Sequence, residues 1–125
     1  MTDDRRRTGQ IAEDVVAQRL IEQSWEIVER NARTRYGELD IVARDGSALV
    51  FIEVKGAREG TSFGPEKPIL AIDLRKQRRI RRLATAWISE RREQPPYAEI
   101  RFDAVGVTLD RHGRAVDVDY VKGAF

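Results

Sequence analysis

The sequence predicts an α/β domain whose elements follow the order helix, three strands, helix, two strands. Three observations carry this. Apolar residues recur with helical spacing over residues 8–23 and again over 71–92. Other short runs, rich in β-branched and aromatic residues, are bounded by turn residues, as strands are. One of them, Leu49-Val50-Phe51-Ile52, is apolar on both faces, as for a central strand covered on both sides.

Taken in order, the first helix is expected over 8–23, with Thr8 as its N-cap and Ile11, Ala12, Val15, Val16, Leu20 and Ile21 as its apolar stripe. Glu13 lies in the row of Ala17 and Leu20, within or beside that stripe rather than opposite it. A strand over Trp25–Arg30 precedes a basic polar loop, Asn31–Gly37. Strands over 38–44 and 48–55 form a hairpin around an Asp45-Gly46 turn. Gly56–Pro68, with three glycines and two prolines, reads as a long loop. The second helix, 71–92, buries Ile80, Leu83, Ala84, Trp87 and Ile88 and ends before Pro95-Pro96. Strands Ile100–Leu109 and Ala115–Val121 close the chain around an Asp110-Arg111-His112-Gly113 turn.

At 125 residues this is one domain, 1–125, large enough for a single core. No apolar run approaches the roughly 20 residues of a membrane span, and Met1-Thr2-Asp3-Asp4-Arg5-Arg6-Arg7 has no apolar stretch behind it, so a cytoplasmic protein without membrane association is expected. The absence of cysteine agrees with a reducing compartment and excludes thiol nucleophiles and thiolate zinc sites. His112 is the only histidine, which excludes histidine-pair chemistry. Carboxylates, lysine, arginine and hydroxyls remain for catalysis. The net charge is only +2. Arg75, Lys76, Arg78, Arg79, Arg81 and Arg82 nevertheless crowd one segment, and Arg5, Arg6 and Arg7 another, as in surfaces that track phosphates or simply solvate a helix.

The most informative phrase is Glu38-Leu39-Asp40-Ile41-Val42 followed by Phe51-Ile52-Glu53-Val54-Lys55. Alternation puts Glu38, Asp40 and Val42 on one face, and Phe51, Glu53 and Lys55 on one face of the next strand. A four-residue loop from Asp45 to Ala48 sets Asp40 opposite Glu53; a two-residue loop sets them diagonally, at roughly 7–8 Å. Either register pairs two carboxylates beside a lysine. Such a pair suits a hard divalent cation, Mg2+ or Mn2+, with the Val54 carbonyl as a further ligand. Lys55 is then placed to orient a water or stabilise charge on a phosphate. Glu13 can complete the metal site from the first helix. The alternative is cross-strand ion pairing between these charges. Against it, unpaired charge at the end of a buried strand costs several kcal/mol, to order of magnitude. Glu13 and Lys76 also interrupt apolar helical stripes. Asp103 is expected to make a structural ion pair with Arg101 or a helix arginine, ahead of buttressing the site, and Glu38 to line the entrance or pair with an arginine. Trp25 and Trp87 fall at core spacing.

The ordered set Gly9, Glu13, Ala17, Leu20, Arg30-Asn31, Gly37-Glu38-Leu39-Asp40-Ile41-Val42, Phe51-Ile52-Glu53-Val54-Lys55, Phe63-Gly64, Lys76, Arg79, Arg101-Phe102-Asp103 and Ala124-Phe125 resembles the YraN family. These are small bacterial proteins regarded as endonucleases on motif and fold. The family is placed in the restriction-endonuclease-like superfamily and is similar to archaeal Holliday junction resolvases. The resemblance implies a three-layer fold, a central mixed sheet flanked by helices. It implies metal-binding roles for Glu13, Asp40 and Glu53 and a catalytic role for Lys55. The expected activity is that of a Mg2+- or Mn2+-dependent endonuclease on DNA, branched DNA included, with Lys76, Gln77, Arg75, Arg78, Arg79 and Arg82 meeting phosphates. One such site cuts one strand, so cutting both arms of a junction calls for a two-fold homodimer. The competing expectation is a non-catalytic nucleic-acid-binding or adaptor protein that keeps the fold.

Overall fold

In the computed structural model, which describes residues 3–60, 67–94 and 96–125, the first helix α1 spans Asp3–Glu22 and begins well ahead of Thr8. Asp3 and Asp4 in its first turn complement the helix dipole, and Arg5–Arg7 are good helix formers, so the helix extends past the expected cap. Thr8 is instead buried within it, and its Oγ1 accepts a hydrogen bond from Arg58 Nε at 3.0 Å.

Strand β1, Glu26–Thr34, absorbs most of the expected Asn31–Gly37 loop. Pairing with β2, Gly37–Asp45, continues through Arg33↔Glu38 and Thr34↔Gly37, which leaves only Arg35-Tyr36 to turn. Asn31 makes this possible by taking φ 51°, a left-handed conformation that asparagine tolerates. β3, Ala48–Arg58, likewise runs beyond its expected end and into the glycine-rich segment. Its pairing with β4, Glu99–Leu109, is parallel and reaches Arg58↔Leu109, so partner strand outweighs local composition. Gly56 permits it: a Cβ there would meet Ala12 Cβ at 2.7 Å, so α1 can close on β3 only at a glycine. Phe63, Gly64 and Pro95, which belong to the expected loop, the family pattern and the helix stop, lie outside the described residues.

A short 3-10 turn, Pro68–Ala71, leads to α2, Leu74–Glu90, which starts later than expected because Asp73 caps it, accepting from Lys76 N at 3.0 Å. β4 and β5, Ala115–Val121, agree with the expected strands. Asp110 shapes their turn by accepting from His112 N and Arg114 N, which makes His112 a turn residue.

The sheet order is β1-β2-β3-β4-β5, antiparallel except for the parallel β3–β4 pair. α1 buries Ala12, Val16, Ala17 and Leu20 against one face, with Trp25, Ile41, Val50, Ile52 and Val105. α2 buries Ile80, Leu83, Ala84 and Trp87 against the other, with Leu39, Val42, Leu49, Phe51 and Ala104. The result is the three-layer α/β fold around a mixed sheet, with β3 apolar on both sides as its sequence predicts. No helix among the described residues is long and apolar enough to cross a membrane.

Candidate functional site

The β2–β3 hairpin adopts the register that sets Arg44 opposite Leu49, Val42 opposite Phe51 and Ile41 opposite Ile52. The next positions along, Asp40 and Glu53, fall outside this ladder. β2 goes on pairing with β1 through Leu39↔Ala32, while β3 goes on pairing with β4 through Glu53↔Ala104. The sheet therefore splits between β2 and β3, and both acids sit at the apex of the split. Asp40 Oδ2 accepts the Val54 N–H at 2.9 Å and so takes the place of a strand carbonyl. The Val54 side chain packs on the α1 side, where its neighbours are apolar.

Asp40 and Glu53 are mostly buried and hydrogen-bonded to one another. Burial raises the pKa of each above its ordinary value. For Asp40 the Val54 N–H and the Glu53 carboxyl work against burial. Glu53 carries the larger shift, to about 8, because the charge of Asp40 adds to the cost of desolvation. At neutral pH Glu53 therefore holds the proton and donates it to Asp40. Lys55, one strand period beyond Glu53, is exposed, and its charge favours the ionised form of Asp40. Lys76 and Arg79 of α2, both exposed, act in the same sense on Glu53. Three cations and two acids thus meet around the split.

Glu13 is buried at 6% exposure on α1, as its place in the apolar stripe predicts. Its Oε1 accepts from Arg30 Nε at 2.9 Å and from Asn31 Nδ2 at 3.2 Å. Desolvation raises its pKa, Arg30 offsets part of this, and Asp40 is close enough to add to it. The kink at Asn31 is what lets consecutive residues Arg30 and Asn31 both reach Glu13, while Ala32 packs on the α2 side. Sequence reading named the acid but not this pair of donors. The signal was there: an acid on an apolar stripe needs a donor when buried, and Arg30-Asn31 is a strand end rich in donors. Among the described residues, no three acidic, histidine or cysteine side chains gather into one ligand cluster.

The remaining candidates divide. Arg75, Arg78 and Arg82 are exposed along α2. The Gln77 side-chain amide donates to the Ile72 carbonyl at 3.3 Å, next to the helix cap. Arg81 stacks on Phe102 at 4.7 Å. Glu38 is exposed, pairs with Arg33 at 3.3 Å and adds negative potential at Asp40. Asp103 pairs with Arg101, as expected.

Comparison with known proteins points one way. Residues 12–107 match the model of the uncharacterised protein family UPF0102. A UPF0102 protein of Moorella thermoacetica is 44% identical over 125 residues, covering all of both chains. One of Streptomyces griseus is 46% identical over 115 residues, 92% of each chain. One of Nocardia farcinica is 42% identical over 122 residues, 98% of this chain and 91% of its own.

Proposed function

The chain belongs to UPF0102, the YraN family, and from the acid pair at the split we propose that it is a magnesium- or manganese-dependent endonuclease acting on DNA, branched DNA included. The observation that carries this reading is the contact between Asp40 and Glu53, two desolvated carboxyls set against each other and ringed by exposed cations. The costs of ionising both carboxyls out of water keep the proton on Glu53, and a structural ion pair would already have relieved them. A hard divalent cation relieves them too. Magnesium takes one or two carboxylates with waters and substrate oxygens, and the donor set here fits that habit. Asp40 and Glu53 would hold the ion, with the Val54 carbonyl as a further oxygen; Glu13 would join them as the third acid only on leaving Arg30 and Asn31, which hold it now. When bound, the cation supplies phosphate neutralisation and a lowered pKa for a water.

The protein's own groups do the rest. Lys55, exposed beside Asp40, donates N–H to the attacking water or to a phosphate oxygen and stabilises charge as it develops. Lys76 and Arg79 hold the phosphate from the α2 side of the split. Arg75, Arg78 and Arg82 extend the basic surface along the helix, and Gln77 steadies its start. Two copies related by a two-fold axis would present two such sites to the two arms of a junction.

One observation favours a second reading, a nucleic-acid-binding adaptor without catalysis: Glu13 is engaged by Arg30 and Asn31 rather than turned toward the acid pair. Cleavage separates the two. The enzyme nicks supercoiled plasmid and cuts flapped DNA with Mn2+. Asp40→Asn and Lys55→Ala bind the same DNA but cut at least about 100-fold more slowly. Equal background cutting by wild type and both variants leaves the adaptor.

A further inference from the structure

The β1–β2 turn carries an exposed aromatic that neither the core nor the acid pair accounts for. Tyr36 is 54% exposed. Its backbone is fixed nonetheless. Thr34 Oγ1 accepts the Tyr36 N–H at 3.1 Å and donates to the Gly37 carbonyl at 2.8 Å, which locks the turn from within. Arg35 ties the turn to the end of α2, its N–H donating to Glu90 Oε2 at 3.3 Å and its side chain lying 3.7 Å from the same carboxylate. The Arg35 guanidinium sits over the Tyr36 ring, 5.0 Å from its centre. The turn is also placed beside the acid pair. Gly37 has φ 143°, and a Cβ on it would stand 2.8 Å from Arg79 Nη2, so the arginine that bears on Glu53 also lies against this turn.

We propose that Tyr36, with Arg35 stacked on it, is a stacking platform for an unpaired nucleobase next to the acid pair, and that it gives the site a preference for DNA with single-stranded character. The proposal rests on the endonuclease reading and deepens it. A π-face accepts any base, so the contact is sequence-tolerant, and guanidinium and aromatic planes together are how proteins hold splayed-out bases. In a paired duplex the faces of the bases are covered by their neighbours, which leaves this ring nothing to stack on. Arg33 and Arg79 beside the turn meet the phosphates on either side. A tyrosine kept only to fill space would be buried, and one kept only for solubility would not be held by two tethers.

Fluorescence anisotropy with labelled single-stranded and fully paired oligonucleotides, in Ca2+ so that nothing is cut, tests this. Wild type binds both. Tyr36→Ala loses about 5- to 100-fold for the single strand and less than about twofold for the duplex, while Tyr36→Trp and Tyr36→Phe keep the preference. A 2-aminopurine in the single strand is quenched by wild type and by Tyr36→Phe but not by Tyr36→Ala. Equal losses on both DNAs, or no loss on either, overturn the proposal while leaving the endonuclease reading intact. Failure of wild type to bind any DNA removes both. Circular dichroism of Tyr36→Ala, expected to match wild type, separates lost stacking from lost folding.

Discussion

Two buried acidic centres lie on this sheet, and they are built on opposite principles. Asp103 is fully buried, yet each of its oxygens is matched. Arg101 meets it with two parallel N–H···O bonds, at 2.9 and 3.0 Å, Tyr120 donates its hydroxyl at 2.6 Å, and the Gly123 N–H donates at 2.9 Å. Arg101 is itself shared with Asp45 at 3.1 Å and lies over the Trp25 ring. Asp40 and Glu53 are less buried but face each other, and their nearby cations act across space on exposed side chains. A matched carboxylate joins strands β4 and β5 and the chain end. An unmatched pair leaves its charge for something else to answer. The first arrangement serves stability, and the second, on the proposed reading, spends stability on a site.

Substitutions can break that contrast, beginning with the largest effect. Asp103→Ala leaves Arg101 with Asp45 alone and takes the acceptor from the Tyr120 hydroxyl and the Gly123 N–H, and should cost about 3–5 kcal/mol in urea unfolding. A loss under about 1 kcal/mol would show that the network is ornamental and remove the comparison. Glu53→Gln should act the other way. It keeps a donor for Asp40 and removes a buried ionisable group, so metal-free protein gains roughly 1–3 kcal/mol at pH 8.

The same logic sets a pH dependence. Glu53 has a folded pKa above its unfolded one, so the folded state binds more protons between the ordinary carboxylate range and about 8, and stability falls as pH rises through that window. Melting temperatures of EDTA-treated protein should decline from pH 5 to pH 8, as counted in roughly half-unit steps, and decline less in Glu53→Gln. A flat wild-type profile would mean that the acids are matched after all. Tyr120→Phe removes one donor to Asp103 and should cost about 1–2 kcal/mol, with no effect on cutting. Lys55→Ala, on an exposed side chain, should change stability by less than about 0.5 kcal/mol while abolishing Mn2+-dependent cleavage. That last separation of stability from activity is the sharpest form of the contrast.

Much of this was legible in the residues. The two helical stripes, the doubly apolar β3 and the Asp40, Glu53, Lys55 spacing all depend on period, and period is a local property of the chain. Glu13 was readable as a buried acid because it interrupts such a stripe, and Asp103 as a member of a structural ion pair, with Arg101 rather than a helix arginine supplied by the fold. The errors cluster where a neighbour overrides local preference. Asn31–Thr34 looks like loop and is strand, because β2 supplies the pairing. Gly56–Arg58 looks like loop and is strand, because β4 pairs with it and Ala12 needs the space of a missing side chain. Thr8 looks like a cap and is helix interior.

The order of elements, the faces they bury and the identity of the acids follow from the chain alone, since they rest on backbone periodicity and side-chain chemistry. How closely the acids meet does not. Two hairpin registers were open, one setting Asp40 directly opposite Glu53 and one setting them diagonally, and the folded sheet takes the direct one, with the acids where β2 and β3 part. The kink at Asn31, which turns Arg30 and Asn31 together onto Glu13, is likewise decided by tertiary contacts. Contacts between residues far apart in sequence depend on loop closure and packing, which no local pattern encodes.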